Sequence, residues 1–290
     1  MQLNFYGLMV GLAVVAAWQI TEKLSHKFGL SPKVFNRASV WFGVGAVVGA
    51  RLWHVLTSVD LYFAHPELII QVQNGGMSIW GVIWGGVLSL TIYWWINWFS
   101  RRKNLPINKP KNSFSAKQFW LFLDSLSFGL PIAQAIGRLG NWFNQELYGL
   151  PSNLPWAITI DRVHRLPGYE EIARYHPLFA YEIVALIILW ALLWRQPEQS
   201  PPGRRFVFYL SGYTLVRFCL DFIRIDQLML PFTLLSVNQV VSVILLFTFI
   251  ALRKFLAKKM QGFHGHALID LIVGAAVGWG SFVCLDLIIG

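Results

Sequence analysis

Eight apolar stretches, each close to the length a helix needs to cross a bilayer, run through this 290-residue chain. They fall at approximately 4–20, 38–56, 79–98, 118–137, 178–194, 206–223, 235–252 and 267–289. Hydrocarbon offers no water to unpaired backbone groups, so a succession of such segments predicts an all-α polytopic membrane protein. Composition agrees: 56% of residues are hydrophobic and 13% charged, against about 25% charged in ordinary soluble domains. No basic residue precedes the first segment and no small-x-small cleavage site follows it. It is therefore expected to be a retained span and not a signal peptide.

Short cytoplasmic loops collect Lys and Arg, so the loops can be assigned to sides by counting. The odd loops (21–37, 99–117, 195–205, 253–266) hold 17, and the even loops (57–78, 138–177, 224–234) hold 5. The odd loops are expected inside and the N-terminus outside. The net charge of +10 is then a basic cytoplasmic rim against anionic lipid, which leaves nucleic-acid binding without support. Cys219 and Cys284 lie in apolar segments and form no metal-ligand spacing or disulfide framework. No internal repeat is visible, and the linker-like stretches are 104–113 and 195–205. One membrane domain, 1–253, with a polar head at about 138–177, is expected, followed at 254–290 by a basic loop and an extra C-terminal helix.

The alternating spans carry one group of polar residues toward the outer face. Tyr6, Arg51, His54, Asn74–Ser78, Arg138, His176, Tyr181, Glu182, Arg217, Asp221, Arg224, Asn238 and Gln239 all belong to it. A charged side chain at depth costs at least ~2.5 kcal/mol on insertion scales, so it is paired or lines a cavity. Arg217, Asp221 and Arg224 are spaced to share one helix face, which predicts an ion pair between Arg217 and Asp221. Two cations against one acid leave positive charge for an anion. At a membrane surface a phospholipid phosphate is the economical choice, because a guanidinium grips phosphate through two parallel hydrogen bonds. Arg138, Arg217, Arg224 and Arg51 are the expected grip.

The run Gly137-Arg138-Leu139-Gly140-Asn141-Trp142-Phe143-Asn144-Gln145-Glu146-Leu147-Tyr148-Gly149 resembles the signature of the bacterial prolipoprotein diacylglyceryl transferases at every fixed position. The likeness extends to Tyr6–Met9, Gly49–Leu52, Gly75–Ser78, Asp124, His176–Glu182 and the Arg217, Asp221, Arg224 triplet, covering about 1–250. It implies seven transmembrane helices and transfer of the diacylglyceryl group of phosphatidylglycerol to the lipobox cysteine of a prolipoprotein signal peptide. It also implies a thioether product, release of glycerol phosphate, no cofactor, no metal, and the bacterial inner membrane. Arg138, Arg217, Glu146 and Asp221 are the catalytic candidates. Asn141, Asn144, Arg224, Tyr6, Arg51, His176, Tyr181 and Glu182 join the arginines as candidate substrate contacts. Gly137, Gly140 and Gly149 are expected to serve a turn or a close backbone approach.

Three positions depart from the family. Trp80 stands where many members carry a histidine favoured for activating the thiol, and an indole accepts no proton. His54, His176 and Glu146 are the substitutes, or the cationic site itself lowers the thiol pKa. Asp221 replaces a usual glutamate, and the eighth apolar segment exceeds the seven-helix pattern. A catalytically inactive lipid-binding relative and an anion transporter are the competing functions, the latter disfavoured by the lack of inverted repeats.

The segment at 267–289 is long enough to span ~30 Å of hydrocarbon, with Asp270 and Asp286 near its ends. Alkaline phosphatase fused to Gly290 should therefore be active; a fluorescent, phosphatase-negative green fluorescent protein fusion would place the C-terminus inside and remove the eighth span.

Overall fold

The computed structural model describes residues 5–71, 79–102, 114–225, 227, 236, 238–240, 242–248 and 251. Seven helices occur among them: α1 Phe5–Lys27, α2 Pro32–Thr57, α3 Val59–Ala64, α4 Ile79–Arg102, α5 Ala116–Phe143, α6 Leu178–Trp194 and α7 Arg204–Asp221. Residues 238–240 and 242–248 are helical as well. Asn74–Ser78, the linker 104–113, the basic loop 253–266 and the segment 267–289 lie outside the described residues, as do the side chains of Tyr6 and Trp80.

Helices α1, α2, α4 and α5 are long and apolar enough to cross a membrane. The apolar α6 has 17 residues, while α7 carries Arg204, Arg205, Arg217 and Asp221 within 18. Charge inside α7, not lack of length, sets it apart from the four apolar spans. Valines 40, 44, 47 and 48 of α2 are exposed, as befits surfaces that lipid can solvate.

Several segment boundaries differ from expectation: α1, expected to end at residue 20, continues to Lys27, and α2, expected from residue 38, begins at Pro32, so most of the first expected loop is helical. The fourth segment, expected to end at residue 137, continues as α5 through Phe143, so Gly137, Arg138, Gly140 and Asn141 are helical and not in a turn. The region 57–78, expected as a loop, holds α3 and a 3-10 turn at Pro66–Ile70, in which Pro66 occupies the first turn, where a missing N–H costs least.

The described residues form two compact units, one of 25–122 and one of 5–24 with 123–251. In the first, α2 and α4 meet through Gly45, Gly49, Gly81 and Gly85. A Cβ on Gly85 would sit 2.0 Å from the Gly45 carbonyl oxygen, and one on Gly49 would sit 2.3 Å from that of Gly81. Lipid tails are as apolar as leucine, so such helices gain contact by bringing backbones close, which only the smallest residues permit. Phe35, Phe42 and Phe122 pack together in the same unit.

In the second unit Gly129 of α5 faces Ala17 and Thr21 of α1, where a Cβ would fall 2.6 Å from Thr21 Oγ1. The chain between α5 and α6 builds a small core from Tyr148, Ile160 and Tyr175. Strands β1 Ile158–Thr159 and β2 Arg174–Tyr175 pair antiparallel there, with Ile158 opposite Tyr175.

The start of α7 is fixed from another helix. Asp124 of α5 is fully buried and accepts from the backbone N–H of Gly203 at 2.7 Å and of Phe206 at 2.9 Å. The first N–H groups of a helix have no partner within it, so a carboxylate there satisfies orphan donors and favours the positive end of the helix dipole. Asp124→Ala should lower stability by about 2–3 kcal/mol, read as a lower melting temperature in detergent, and Asp124→Asn, which keeps an acceptor, should cost less.

Candidate functional site

A carboxylate buried among apolar helices must be paired, and Glu182 near the start of α6 is fully buried. Arg138 of α5 answers it: Nη2 donates to Oε1 at 2.9 Å, and Nε lies 2.9 Å from Oε2 as an ion contact. Arg217 of α7 approaches the same Oε2 with Nη1 at 3.4 Å, and the Tyr213 hydroxyl donates to Oε1 at 3.2 Å. Tyr209, stacked on Tyr213, donates to Gln134 Oε1 at 2.8 Å, which ties α7 back to α5. Three helices thus meet on one carboxylate.

Two guanidiniums against one carboxylate leave a net positive charge. Both arginine side chains are about one-quarter exposed, at 25% and 24%, while Glu182 has no exposure. Arg138 has five N–H groups. Nε faces Glu182, one Nη2 hydrogen goes to Glu182, and one Nη1 hydrogen goes to Asn141 Oδ1 at 3.2 Å. The Tyr213 hydroxyl also engages this guanidinium, and the exposed quarter of the Arg138 side chain is the part that faces an external anion. Glu182, expected among substrate contacts, offers an anion only acceptors; its position is that of an anchor for the arginines.

From Arg138 the hydrogen bonds continue outward. Asn141 Nδ2 donates to Glu146 Oε2 at 3.4 Å, and Asn144 Nδ2 donates to Glu146 Oε1 at 3.2 Å. Glu146 is exposed and sits between Gln145 and Leu147, which have φ of 54° and 55°. The Leu147 carbonyl accepts from the Phe179 N–H at 3.2 Å, joining this turn to the first turn of α6. The structure thus brings Arg138, Asn141, Asn144, Glu146, Glu182 and Arg217 into one connected network.

Gly149 closes the signature at a backbone crossing. Its N–H donates to the His176 carbonyl at 2.9 Å, Leu150 N–H donates to the Ile223 carbonyl at 2.8 Å, and Gly149 bridges Arg224. A Cβ at Gly149 would lie 2.5 Å from the Ile223 oxygen, so the expected close approach holds at this glycine. Gly137 has nothing within 4 Å of such a Cβ, and the expectation that it serves a turn or close approach is corrected.

The ion pair expected between Asp221 and Arg217 is also corrected. Asp221 is buried and its Oδ2 accepts from the Ser236 hydroxyl, while Arg217 turns to Glu182. Helix spacing puts Arg217 and Asp221 on one face, but a carboxylate on a neighbouring helix competes for the same guanidinium. Arg51, expected in the phosphate grip, is buried, with Nε donating to the Ile69 carbonyl at 2.9 Å and Nη2 donating to those of Leu68 and Gln71. Its guanidinium also lies over the Tyr62 ring. Arg51 therefore holds the chain after α3.

Among the histidines, His54 Nδ1 lies 3.0 Å from the Tyr62 hydroxyl and His176 Nδ1 lies 3.1 Å from that of Tyr181. The Trp156 indole N–H donates to the same Tyr181 oxygen at 2.7 Å. Tyr213 escaped the sequence analysis although it stands four residues before Arg217, on the same helix face. Among the described residues no group of His, Cys, Asp and Glu could hold a metal ion.

Known proteins resemble the chain over most of its length. The family model for prolipoprotein diacylglyceryl transferases matches residues 1–254. A phosphatidylglycerol–prolipoprotein diacylglyceryl transferase of Thermosynechococcus vestitus is 34% identical over 248 residues, covering 83% of this chain and 84% of the relative. One from Streptomyces coelicolor, designated transferase 2, is 39% identical over 233 residues, 78% and 67% of the two chains. One from Corynebacterium diphtheriae is 33% identical over 254 residues, 82% and 83% of the two chains.

Replacing Glu182 by leucine strands two guanidiniums beside an apolar surface. Glu182→Leu should destabilise the protein by about 3 kcal/mol or more, measured by thermal unfolding in detergent, with Glu182→Gln between it and the wild type.

Proposed function

Because the chain belongs to the prolipoprotein diacylglyceryl transferase family, we propose that it uses Arg138 and Arg217 to hold the phosphodiester of phosphatidylglycerol while the diacylglyceryl group moves to a prolipoprotein cysteine. It is a diacylglyceryl transferase, acting at the first step of lipoprotein maturation. The observation that carries the residue assignment is the pair of partly exposed guanidiniums sharing one buried carboxylate. Glu182 cancels one of the two charges and fixes both side chains, and the remaining charge and N–H groups meet the phosphate.

The reaction forms a carbon–sulfur bond at the glycerol carbon that bears the phosphate ester and breaks that carbon's bond to oxygen. Glycerol phosphate leaves with the bonding electrons, and the thiol proton goes to a base. Charge grows on the departing phosphate, and preoriented guanidiniums stabilise it most where water is scarce. Asn141 and Asn144 orient the site and bond the glycerol head group. Glu146 is the base in this scheme: hydrogen bonds connect it to Arg138 through Asn141, it is exposed, and two amide donors leave acceptor capacity on its oxygens. Trp80 cannot perform that step. Asp221 and Arg224 support the last turn of α7 and the crossing at Gly149, and His176 and Tyr181 line the approach of the lipid; Tyr6 is assigned to substrate contact on the family resemblance alone.

The excess of Lys and Arg in the odd loops supports an N-terminus and a site on the outer side of a bacterial plasma membrane. Seven family-like spans with a small head between the fourth and fifth, followed by the eighth apolar segment, complete the topology. The signal peptide of the prolipoprotein, with its lipobox cysteine, and phosphatidylglycerol are the partners.

A lipobox peptide incubated with the purified protein in phosphatidylglycerol vesicles should gain a diacylglyceryl mass, and none should be gained in phosphatidylethanolamine vesicles. Arg138→Lys keeps the charge but loses the forked geometry and should slow transfer on the order of 100-fold. Near-normal turnover of that variant would remove the phosphate grip from Arg138.

A further inference from the structure

Glu146 stands between two residues whose backbone is left-handed, an arrangement that side chains with a Cβ disfavour unless surrounding contacts impose it. Leu147 is imposed on by the first turn of α6, through Phe179 N–H. Gln145 is the left-handed cap of α5, with its own N–H on the Trp142 carbonyl at 3.0 Å and the Glu146 N–H on the Asn141 carbonyl at 2.8 Å; its side chain is held by a different part of the chain. Its Nε2 donates to Asp161 Oδ2 at 2.6 Å, and the Asp161 backbone N–H donates to its Oε1 at 2.6 Å. Both ends of the amide are therefore engaged by one residue. That pairing also fixes which way the amide faces, since only its nitrogen can face the carboxylate.

Asp161 is itself tethered beside the site. It opens the 3-10 turn Arg162–His164, and its carbonyl accepts from the His164 N–H at 2.9 Å. Tyr148, two residues after Glu146, clamps the far end of that turn: its hydroxyl donates to the His164 carbonyl at 2.9 Å and accepts from the Leu166 N–H at 2.8 Å. The Arg165 guanidinium closes the same loop onto the Ile160 carbonyl at 2.9 Å. The chain at 160–166 is thus a platform fastened to the signature turn at two points, Gln145 and Tyr148.

We propose that Gln145 and Asp161 form a clasp that holds the signature turn in its left-handed course and so aims the Glu146 carboxylate at Asn141, Asn144 and the incoming thiol. Both are positioning residues, acting through Glu146. The clasp rests on the transferase reading, since its purpose is to present Glu146 to that reaction. Without it, only the two capping bonds at the end of α5 keep Gln145 left-handed, the turn loosens, and Glu146 is held less firmly within reach of the two amides. Misplacement of a reacting group by about 1 Å costs on the order of 100-fold in rate, so a partial loss of aim should be visible in turnover.

The test compares full-length wild type, Asp161→Ala, Asp161→Asn and Gln145→Gly/Asp161→Ala in phosphatidylglycerol vesicles with a lipobox peptide. Hydrogen exchange of the segment 141–149 is followed alongside. Asp161→Ala should lower kcat on the order of tenfold with KM for the lipid little changed, and should speed exchange at 145–147. Asp161→Asn, which keeps an acceptor for Nε2, should stay near the wild-type rate. Glycine reaches the left-handed region without strain, so Gln145→Gly/Asp161→Ala should recover most of the rate lost in Asp161→Ala alone. Unchanged exchange in Asp161→Ala, which keeps only the bond from the residue-161 backbone N–H, would show that the Asp161 carboxylate does not hold the turn and would overturn the proposal. Faster exchange with unchanged kcat, or a rate loss that glycine does not restore, would overturn the positioning role. A wild type that transfers nothing would overturn the transferase reading and with it the clasp's catalytic purpose, while exchange would still decide whether the clasp holds the turn.

Discussion

The Glu182 carboxylate is the contact around which the site is arranged. Buried on α6 with no exposure, it is tolerable only because α5 supplies Arg138 and α7 supplies Arg217 and Tyr213. Those demands fix how the three helices are rotated about their axes, since each must present one particular side chain to one point. The same arrangement leaves one net positive charge at the site, as the proposed grip on a phosphate requires. A guanidinium never loses its proton under these conditions, so the positive charge persists whatever happens to the thiol.

Everything downstream of Arg138 depends on α5 continuing to Phe143. One further turn carries Asn141 to the side of Arg138 and delivers the chain into the left-handed turn at Gln145–Leu147. The chain then passes through Gly149, where it hydrogen-bonds to the backbone just before α6 and just after α7. The signature is therefore one continuous path: a cation on a helix, an amide-linked carboxylate on a turn, and a glycine where three strands of backbone cross. That crossing also brings Arg224 beside the signature, although 75 residues separate it from Gly149.

Trp80 and Arg51 show how a shared family can distribute chemistry differently from what single residues suggest. An indole at Trp80 offers no proton acceptor, and the base proposed instead, Glu146, is connected to Arg138 through the Asn141 amide. Arg51 looks, in sequence, like another membrane arginine awaiting a phosphate. Its donors are directed at carbonyls of the chain just after α3.

Much of the architecture was legible in the sequence, because bilayer thickness imposes a length on apolar segments that no local competition erases. Segments near 4–20, 38–56, 79–98, 118–137, 178–194 and 206–223 all correspond to helices, and the signature run held four of the six residues of the network, Arg138, Asn141, Asn144 and Glu146. Boundaries were less legible: helix α5 outlasts its apolar stretch because Arg138 and Asn141 find partners beside it. Pairing beyond the signature run was not legible. Spacing placed Asp221 on the face of Arg217, yet Arg217 joins Glu182 and Asp221 accepts from Ser236. Gln145 and Asp161, 16 residues apart, gave no sign of their contact. Sequence alone determined which segments could enter a membrane and which residues carried charge into it, since those follow from local composition. Which charges meet was decided only by tertiary structure, because a hydrogen bond depends on ångström-scale positions of side chains from helices far apart in the chain.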